Sequence, residues 1–223
     1  MKLILNSFLI LLLFICFPVF GVDASKTYVI KVSGIKIGKL DWVMNINNKN
    51  YTNSLKLKSE GFLSAIYKFE GEYFSKGEIE NKKLKPKKYT HLWKTNKASK
   101  KMTLLFDNNT LKSIEQKPVE EESLRIDVYN IKNAKDPLTS FLQIIMGIKK
   151  SLVIDGRRFY TMNALHEESI KQTTVELTNY SNLWADHKRS DFEKISFKKN
   201  KEDFLPTKIF IYFDSRVFKL EQI

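Results

Sequence analysis

Cysteine is almost absent from this sequence, and the single one, Cys16, lies close to the N-terminus. One cysteine forms no internal disulfide and provides no pair of thiolates for a structural zinc site. The three histidines, His91, His166 and His187, are widely spaced, so the His-x-x-x-His pair of zinc hydrolases is missing too. The fold must therefore be held by its apolar core, which a chain of this length can build.

Other motifs that carry chemistry are also missing. There is no Gly-x-Ser-x-Gly nucleophile elbow, and Gly34 and Gly38 are spaced for a turn between strands, not for a phosphate loop. The cluster His166-Glu167-Glu168 has metal-ligand chemistry, but the sequence assigns it no third and fourth ligand. We therefore predict no catalytic, metal or cofactor site, and an enzyme is the least favoured class, although a catalytic pair assembled only by folding would escape notice.

Long apolar runs are confined to the N-terminus. Lys2 is followed by an apolar run at Phe8–Phe17, by Pro18, and by small residues at Gly21 and Ala24. This layout is typical of a secretory signal peptide, and the run is shorter than the ~20 residues of a membrane span. We predict a signal peptide over residues 1–24. Cleavage after either Gly21 or Ala24 fits the small-residue rule, and Ala24 is preferred.

The leader predicts the compartment of the rest of the chain. The three residues before Cys16 are Leu13, Phe14 and Ile15, so the small residue that precedes a lipidated cysteine is missing and a lipid anchor is disfavoured. Residues 25–223 are predicted to form a single β-rich domain that is exported to the bacterial periplasm.

Basic residues outnumber acidic ones, giving a formal charge of +13. In a cytosolic protein this excess would suggest nucleic acid, but we predict no nucleic-acid partner for an exported chain. Its candidate partners are a lipid or amphiphile and an anionic membrane or lipopolysaccharide surface. The alternative is a solvated surface, because lysines alternate along strands, as at Lys56 and Lys58, or cluster in the turn at 82–88. A protein partner is not indicated.

Period-two alternation of apolar and polar residues dominates the chain. Leu40, Trp42, Met44 and Ile46 share one face of a strand, and after the turn at 47–50 the alternation resumes through Leu57. An antiparallel hairpin with one solvated face is expected from this pattern. With about ten such strands, the sequence predicts a mainly β fold: an antiparallel, strongly curved sheet, or a partial or closed β-barrel, with two short helices.

The two helices are predicted from caps and spacing. Asp136 suits the N-cap and Pro137 the first position of a helix that ends near Gly147 and packs by an apolar face. The second helix is expected at 62–69, where Phe62, Ala65, Ile66 and Phe69 form a stripe at helical spacing. This short helix would cap the curved sheet.

Several stretches resemble one family. The segment 61–67, Gly-Phe-Leu-Ser-Ala-Ile-Tyr, is similar to a hallmark of the exported bacterial family called domain of unknown function 3108. Further matching stretches follow the same order along the chain: 34–38, Pro86 with Tyr89, Phe106-Asp107, 136–140, 155–160 and Leu205-Pro206. The resemblance implies an exported β-rich domain with no assigned activity and no catalytic residue. Its architecture is similar to that of curved-sheet periplasmic lipoprotein carriers, an analogy that does not fix function.

Two function classes stay open at this point. In the first, the helices line or gate a cavity that binds an apolar or amphiphilic, lipid-like ligand, and residues predicted to line it are Trp42, Leu57, Phe62, Ile66, Phe141 and Ile145. In the second, the helices fill the core of an interaction or scaffold protein of the cell envelope. Apolar stripes fit either class, because each buried apolar side chain contributes ~1.5 to 3 kcal/mol whether or not a ligand is present.

The leader generates the first prediction. We expect the mature protein to begin near Ser25, since Val22 and Ala24 satisfy the cleavage rule. N-terminal sequencing of the exported protein tests this. A chain that retained Met1 would overturn the predicted compartment and reopen nucleic acid as an explanation of the charge.

Overall fold

Fourteen strands and one α-helix make up the described part of the chain. The computed structural model describes residues 21–61, 64, 68–184 and 192–223. The first seven strands are β1 (Val22–Val32), β2 (Ile35–Ile46), β3 (Asn50–Ser59), β4 (Phe69–Glu80), β5 (Lys83–Thr95), β6 (Ser99–Asp107) and β7 (Thr110–Lys117). The other seven are β8 (Ala134–Lys135), β9 (Lys150–Ile154), β10 (Arg158–Glu167), β11 (Gln172–Asn182), β12 (Phe192–Lys198), β13 (Lys208–Phe213) and β14 (Arg216–Gln222). Helix α1 spans Pro137–Ile145, and 3-10 turns lie at Val128–Asn130 and Glu168–Ile170.

All strands belong to one sheet that is nearly closed into a barrel. Its order is β7-β6-β5-β4-β3-β2-β1-β14-β13-β12-β11-β10-β9-β8. Every neighbouring pair is antiparallel except the short β8, which runs parallel to β9. The two edges approach each other where Thr110 of β7 bridges Lys132, and where the Asn133 amide donates to the Asn109 carbonyl at 3.0 Å. The predicted fold class, a curved antiparallel sheet closing into a barrel, is confirmed.

Tight turns join neighbouring strands, and the residue types in these turns explain their backbone conformations. In the β6–β7 turn both central residues, Asn108 and Asn109, have positive φ, which asparagine tolerates and which matches the twist of a two-residue hairpin. Between β9 and β10, Gly156 has φ 91 and packs so closely on Met102 of β6 that a Cβ would come within 2.5 Å of its sulfur. This glycine lets the β9–β10 turn lie against β6, across the gap between the two sheet edges.

One end of the barrel is filled by helix α1. Its inner residues are almost fully shielded from solvent, and Leu142 is 0% exposed. They join a large core cluster with inward residues of β2, β10, β12 and β13. The sequence pattern explains this packing, because the apolar residues of α1 recur at helical spacing while those of the strands alternate.

A buried polar network anchors the helix to the sheet. Asp136 accepts the Thr139 amide at 2.9 Å as N-cap, and its other oxygen accepts hydrogen bonds from the hydroxyls of Ser75 (3.0 Å) and Thr139 (2.5 Å). The hydroxyls of Tyr51 and Thr139 lie 2.6 Å apart. Burial raises the pKa of Asp136, whereas its hydrogen bonds to Thr139 and Ser75 act in the opposite direction. The network fixes where the helix begins against β3 and β4.

Some sequence expectations need correction. The sheet has fourteen described strands and not about ten, because short segments such as β8 and β9 carry too few residues for a clear alternation. Phe69 is not helical: it opens β4 and pairs with Thr95. Lys68, just before it, lies in neither a helix nor a strand. The rest of the predicted second helix falls on residues 62–67, of which only Ser64 is described, and that residue is helical.

Strand β13 has apolar or aromatic residues on both faces. On its outer side Phe210 and Tyr212 are half-buried. The Lys194 ammonium lies 4.6 Å from the centre of the Tyr212 ring. Lysine side chains thus cover part of an apolar outer surface.

Strand β1 starts upstream of the preferred cleavage point. Val22, Asp23 and Ala24 pair with Ile46, Asn45 and Met44 of β2. Val22 and Ala24 also pack against the core. Among the described residues, no helix is both long and apolar enough to cross a membrane.

The buried network generates the second prediction. Asp136→Ala removes the N-cap and leaves two buried hydroxyls without their acceptor, so it should cost about 2 to 4 kcal/mol of unfolding free energy. Asp136→Asn keeps a capping oxygen and should cost less. Urea unfolding of both variants beside the wild type measures the difference.

The raised pKa of Asp136 adds a pH dependence to this comparison. A carboxyl whose pKa is raised by folding stabilises the folded state below its ordinary pKa of 3.8, and this contribution is lost as the pH rises through the folded-state value. The stability of the wild type relative to Asp136→Asn should therefore fall with rising pH in that window. A difference that did not change with pH would contradict the raised pKa.

Candidate ligand-binding cavity

The barrel interior is not completely filled. A cavity of about 780 Å³ lies between helix α1 and the opposite end of the barrel. Residues of most strands and of the start of α1 line it, and the majority are aliphatic or aromatic. The alternating strands explain this lining, because each sends every second side chain inward.

The floor of the cavity is formed by aromatic rings and the helix. Phe141 of α1 stacks on Trp42 with ring centres 6.0 Å apart, and meets the Phe197 ring edge-on at 5.5 Å. The Nε1–H group of Trp42 donates a hydrogen bond to Asn53 Oδ1 at 2.7 Å. The amide of Asn53 in turn donates a hydrogen bond to the Leu138 carbonyl. The polar edge of the indole is thereby satisfied, so the floor presents an apolar surface to the cavity.

The walls are aliphatic on one side and aromatic on the other. The aliphatic side consists of inward residues of β1, β2, β3, β13 and β14: Ile30, Leu40, Leu57, Ile209, Ile211 and Leu220. The aromatic side follows one cross-strand row, in which Leu55 pairs with Tyr73 and Tyr73 with His91. The rings of Tyr73 and His91 stack at 4.2 Å.

The cavity reaches solvent at the end of the barrel away from α1. Five of its lining residues are exposed, and we call them the mouth: Lys58, Lys101, Lys117, Arg157 and Phe213. They lie at one end because β3, β7 and β13 finish there and β6 and β10 start there, as the antiparallel pairing requires. The mouth is therefore mostly basic.

Three polar side chains behind the mouth have a buried nitrogen atom with no hydrogen-bond partner among the described residues. These atoms are His91 Nε2, Trp93 Nε1 and Gln116 Nε2, and all three residues line the cavity. Burial, with a smaller effect from the charge of Arg157, lowers the pKa of His91 to about 4. The imidazole is therefore neutral near pH 7. A bound molecule with acceptor atoms could satisfy such donors.

The predicted lining residues fall into three groups. Trp42, Leu57 and Phe141 line the cavity. Ile145 is buried in the core at the far end of α1, away from the cavity lining. Phe62 and Ile66 lie outside the described residues. Contact of any of them with a ligand stays a prediction.

Sequence reasoning did not identify the polar part of the lining. Alternation along β5 places Tyr89, His91 and Trp93 on one face, and this could have been read from the sequence. Gln116 joins them only through pairing, since it is opposite Met102, which is opposite His91. That register is not visible in one sequence.

The histidine cluster noted in the sequence lies elsewhere. His166 Nε2 is 3.4 Å from Glu168 Oε1, and both side chains are exposed at the end of β10. Over the described ranges, no group of three or more potential metal ligands gathers there or elsewhere.

Comparisons with known proteins identify a fold and a family but no activity. A search of curated proteins finds no match. Among solved structures, the chain is similar to a "Beta-barrel-like Protein of Domain of Unknown Function DUF1849" from Brucella abortus, with a TM-score of 0.52 and 9% identity. The alignment covers 91% of this chain and 96% of that one, and at such low identity it shows the fold alone.

The family match confirms the resemblance seen in the sequence. The family model covers residues 27–184, from β1 to the end of the β10–β11 hairpin, and so includes most of the cavity lining. The chain belongs to the family described as "Protein of unknown function (DUF3108)".

Proposed function

We propose that this protein binds an apolar or amphiphilic, lipid-like ligand inside its barrel. The observation that carries the proposal is the cavity of about 780 Å³ with its mainly apolar lining. Small-molecule sites have volumes of roughly 300–1,000 Å³, are largely apolar, and carry a few placed polar groups. This cavity matches all three features.

The alternative, a scaffold with a filled core, fits the cavity less well. Protein cores hold few voids larger than a water molecule, because lining atoms without neighbours lose dispersion contacts. Here the side chains that surround the open space, such as Trp42 and Phe141, are large, and yet they leave the space unfilled. A ligand that supplies the missing contacts explains why the space is kept.

Export to the bacterial periplasm belongs to the same proposal and is supported by the N-terminal leader. The structure bears on which of the two cleavage points is used. Cleavage after Ala24 would remove Val22, Asp23 and Ala24, which pair with β2, whereas cleavage after Gly21 would keep β1 whole. We therefore favour Gly21 over the Ala24 site that the sequence alone preferred.

A variant that fills the cavity provides the third prediction. Leu57→Trp places a large ring in the apolar wall and should weaken binding of a fluorescent fatty acid at least tenfold. Its effect on stability should stay within about 1 to 3 kcal/mol, because the ring enters open space. Lys56→Trp is the matched control: it is exposed on the other face of β3 and should leave binding unchanged.

Titration with the fluorescent probe measures binding, and urea unfolding of the same proteins measures stability. Saturable binding that Leu57→Trp weakens at least tenfold and Lys56→Trp preserves is the expected result. Absence of saturable binding to the wild-type protein, after extraction of any co-purified lipid, would favour the filled-core scaffold.

Two neighbouring helix residues provide the fourth prediction. Leu142 is 0% exposed and packed in the core, so Leu142→Ala should cost ~2 to 5 kcal/mol of unfolding free energy. Phe141 is half-buried and already borders the cavity, so Phe141→Ala should cost less than Leu142→Ala. Only Phe141→Ala should change probe affinity. If Phe141→Ala were the more costly and left affinity unchanged, Phe141 would act as a core plug.

A further inference from the structure

The charge of the cavity lining is strongly one-sided. Six basic residues line it, namely Lys58, Lys100, Lys101, Lys117, Arg157 and Arg158, against one acidic residue, Asp155. Asp155 is engaged in the β9–β10 turn, where its Oδ1 accepts the amides of Arg157 at 2.8 Å and Arg158 at 2.7 Å. Among the described residues, no carboxylate lies within ion-pair distance of Lys100, Lys101 or Lys117.

The unsatisfied donors lie beside these charges. Trp93 pairs with Lys100 across β5 and β6, and the Lys100 ammonium is 5.8 Å from the centre of the Trp93 ring. His91 is two residues from Trp93 on the same strand face. Gln116 of β7 lies opposite Met102 of β6, which in turn lies opposite His91. N–H donors and ammonium groups thus converge on the wall formed by β5, β6 and β7.

The β9–β10 turn brings its arginines to the same wall from the other sheet edge. Gly156 packs against Met102, which lies between His91 and Gln116 in the cross-strand row. The charge of Arg157 acts on His91, as its contribution to the low pKa of that imidazole indicates. The two edges of the open barrel therefore both supply donors and cations to one region.

We infer that the ligand is an anionic amphiphile, whose carboxylate or phosphate head group is held between Lys100 and Arg157 and accepts hydrogen bonds from Trp93, His91 or Gln116. This inference rests on the proposed function and defines its ligand class. The hydrocarbon chain occupies the apolar part of the cavity down to Trp42 and Phe141.

Physical chemistry separates this ligand from its neutral and cationic analogues. An anion neutralises a cluster of like charges and satisfies buried donors with charge-assisted hydrogen bonds. A neutral amphiphile of the same chain length satisfies fewer donors and, within the described part of the chain, leaves Lys100, Lys101 and Lys117 without a counter-ion. A cationic one adds repulsion, so the head group decides affinity while the chain contributes equally in each case.

The experiment compares four probes with the same sixteen-carbon chain and different heads: hexadecanoate, hexadecyl phosphate, hexadecanol and hexadecyltrimethylammonium. Affinities are measured below the critical micelle concentration by displacement of a fluorescent reporter from the delipidated mature protein. The two anions should bind at least tenfold more tightly than hexadecanol, and the preference should shrink at high salt. Their ratio distinguishes a carboxylate from a phosphate head.

Variants locate the effect. Lys100→Gln with Arg157→Gln should remove most of the preference for the anions and leave hexadecanol affinity within about twofold. Trp93→Phe should weaken anion binding several-fold by deleting one N–H donor while keeping an aromatic ring. Lys76→Gln with Lys112→Gln removes the same charge from exposed sites outside the cavity lining and should leave the preference intact.

The outcomes separate this inference from the proposed function. Equal binding of anionic and neutral probes would overturn the head-group inference and leave the apolar site standing. Binding of none of the four would overturn both. Loss of anion preference in the control double variant as well would assign the preference to net charge and not to the site between Lys100 and Arg157. Hexadecanol binding confirms that each variant is folded.

Discussion

The position of helix α1 determines what the rest of the barrel can do, and one buried carboxylate fixes that position. Asp136 caps the helix and is held by Ser75 of β4, while Thr139 reaches Tyr51 of β3. A buried charge is costly unless hydrogen bonds compensate it, so this network tolerates little displacement. The helix is therefore held at one end of the barrel, and the other end stays open.

The interior consequently has two parts with different physics. Around Leu142 the packing is that of an ordinary core, with residues almost fully shielded from solvent. Beyond Phe141 the side chains face open space, and polar atoms such as Trp93 Nε1 find no partner in the part of the chain that the structure describes. The first part supplies stability, and the second keeps groups whose interactions are incomplete in the protein alone. Unsatisfied buried donors are expected where a ligand completes the structure.

Local patterns in the sequence predicted much of the fold. The alternation through Leu40 and Trp42 indicated strands, and Asp136-Pro137 indicated the start of the helix, because caps and periodicity depend on neighbours in the chain. The floor residues Trp42 and Phe141 could be predicted from the sequence for the same reason. The pairing of His91 with Met102 and Gln116, and the approach of Gly156 to Met102, depend on register and on barrel closure. These are non-local properties, so the polar wall of the cavity could not be predicted.

The pairing of the first strand with the last has a consequence for how the chain folds. Tyr28 of β1 pairs with Gln222 of β14, so the contact joins residues from opposite ends of the sequence. Strands β1 to β7 can form a meander from local hairpins, but one edge of β1 has no partner until β14 is in place. Such late, long-range contacts slow folding, and an unpaired edge can recruit strands from other chains. The interval between the folding of this meander and the docking of β14 is thus the period when this protein is most exposed to aggregation.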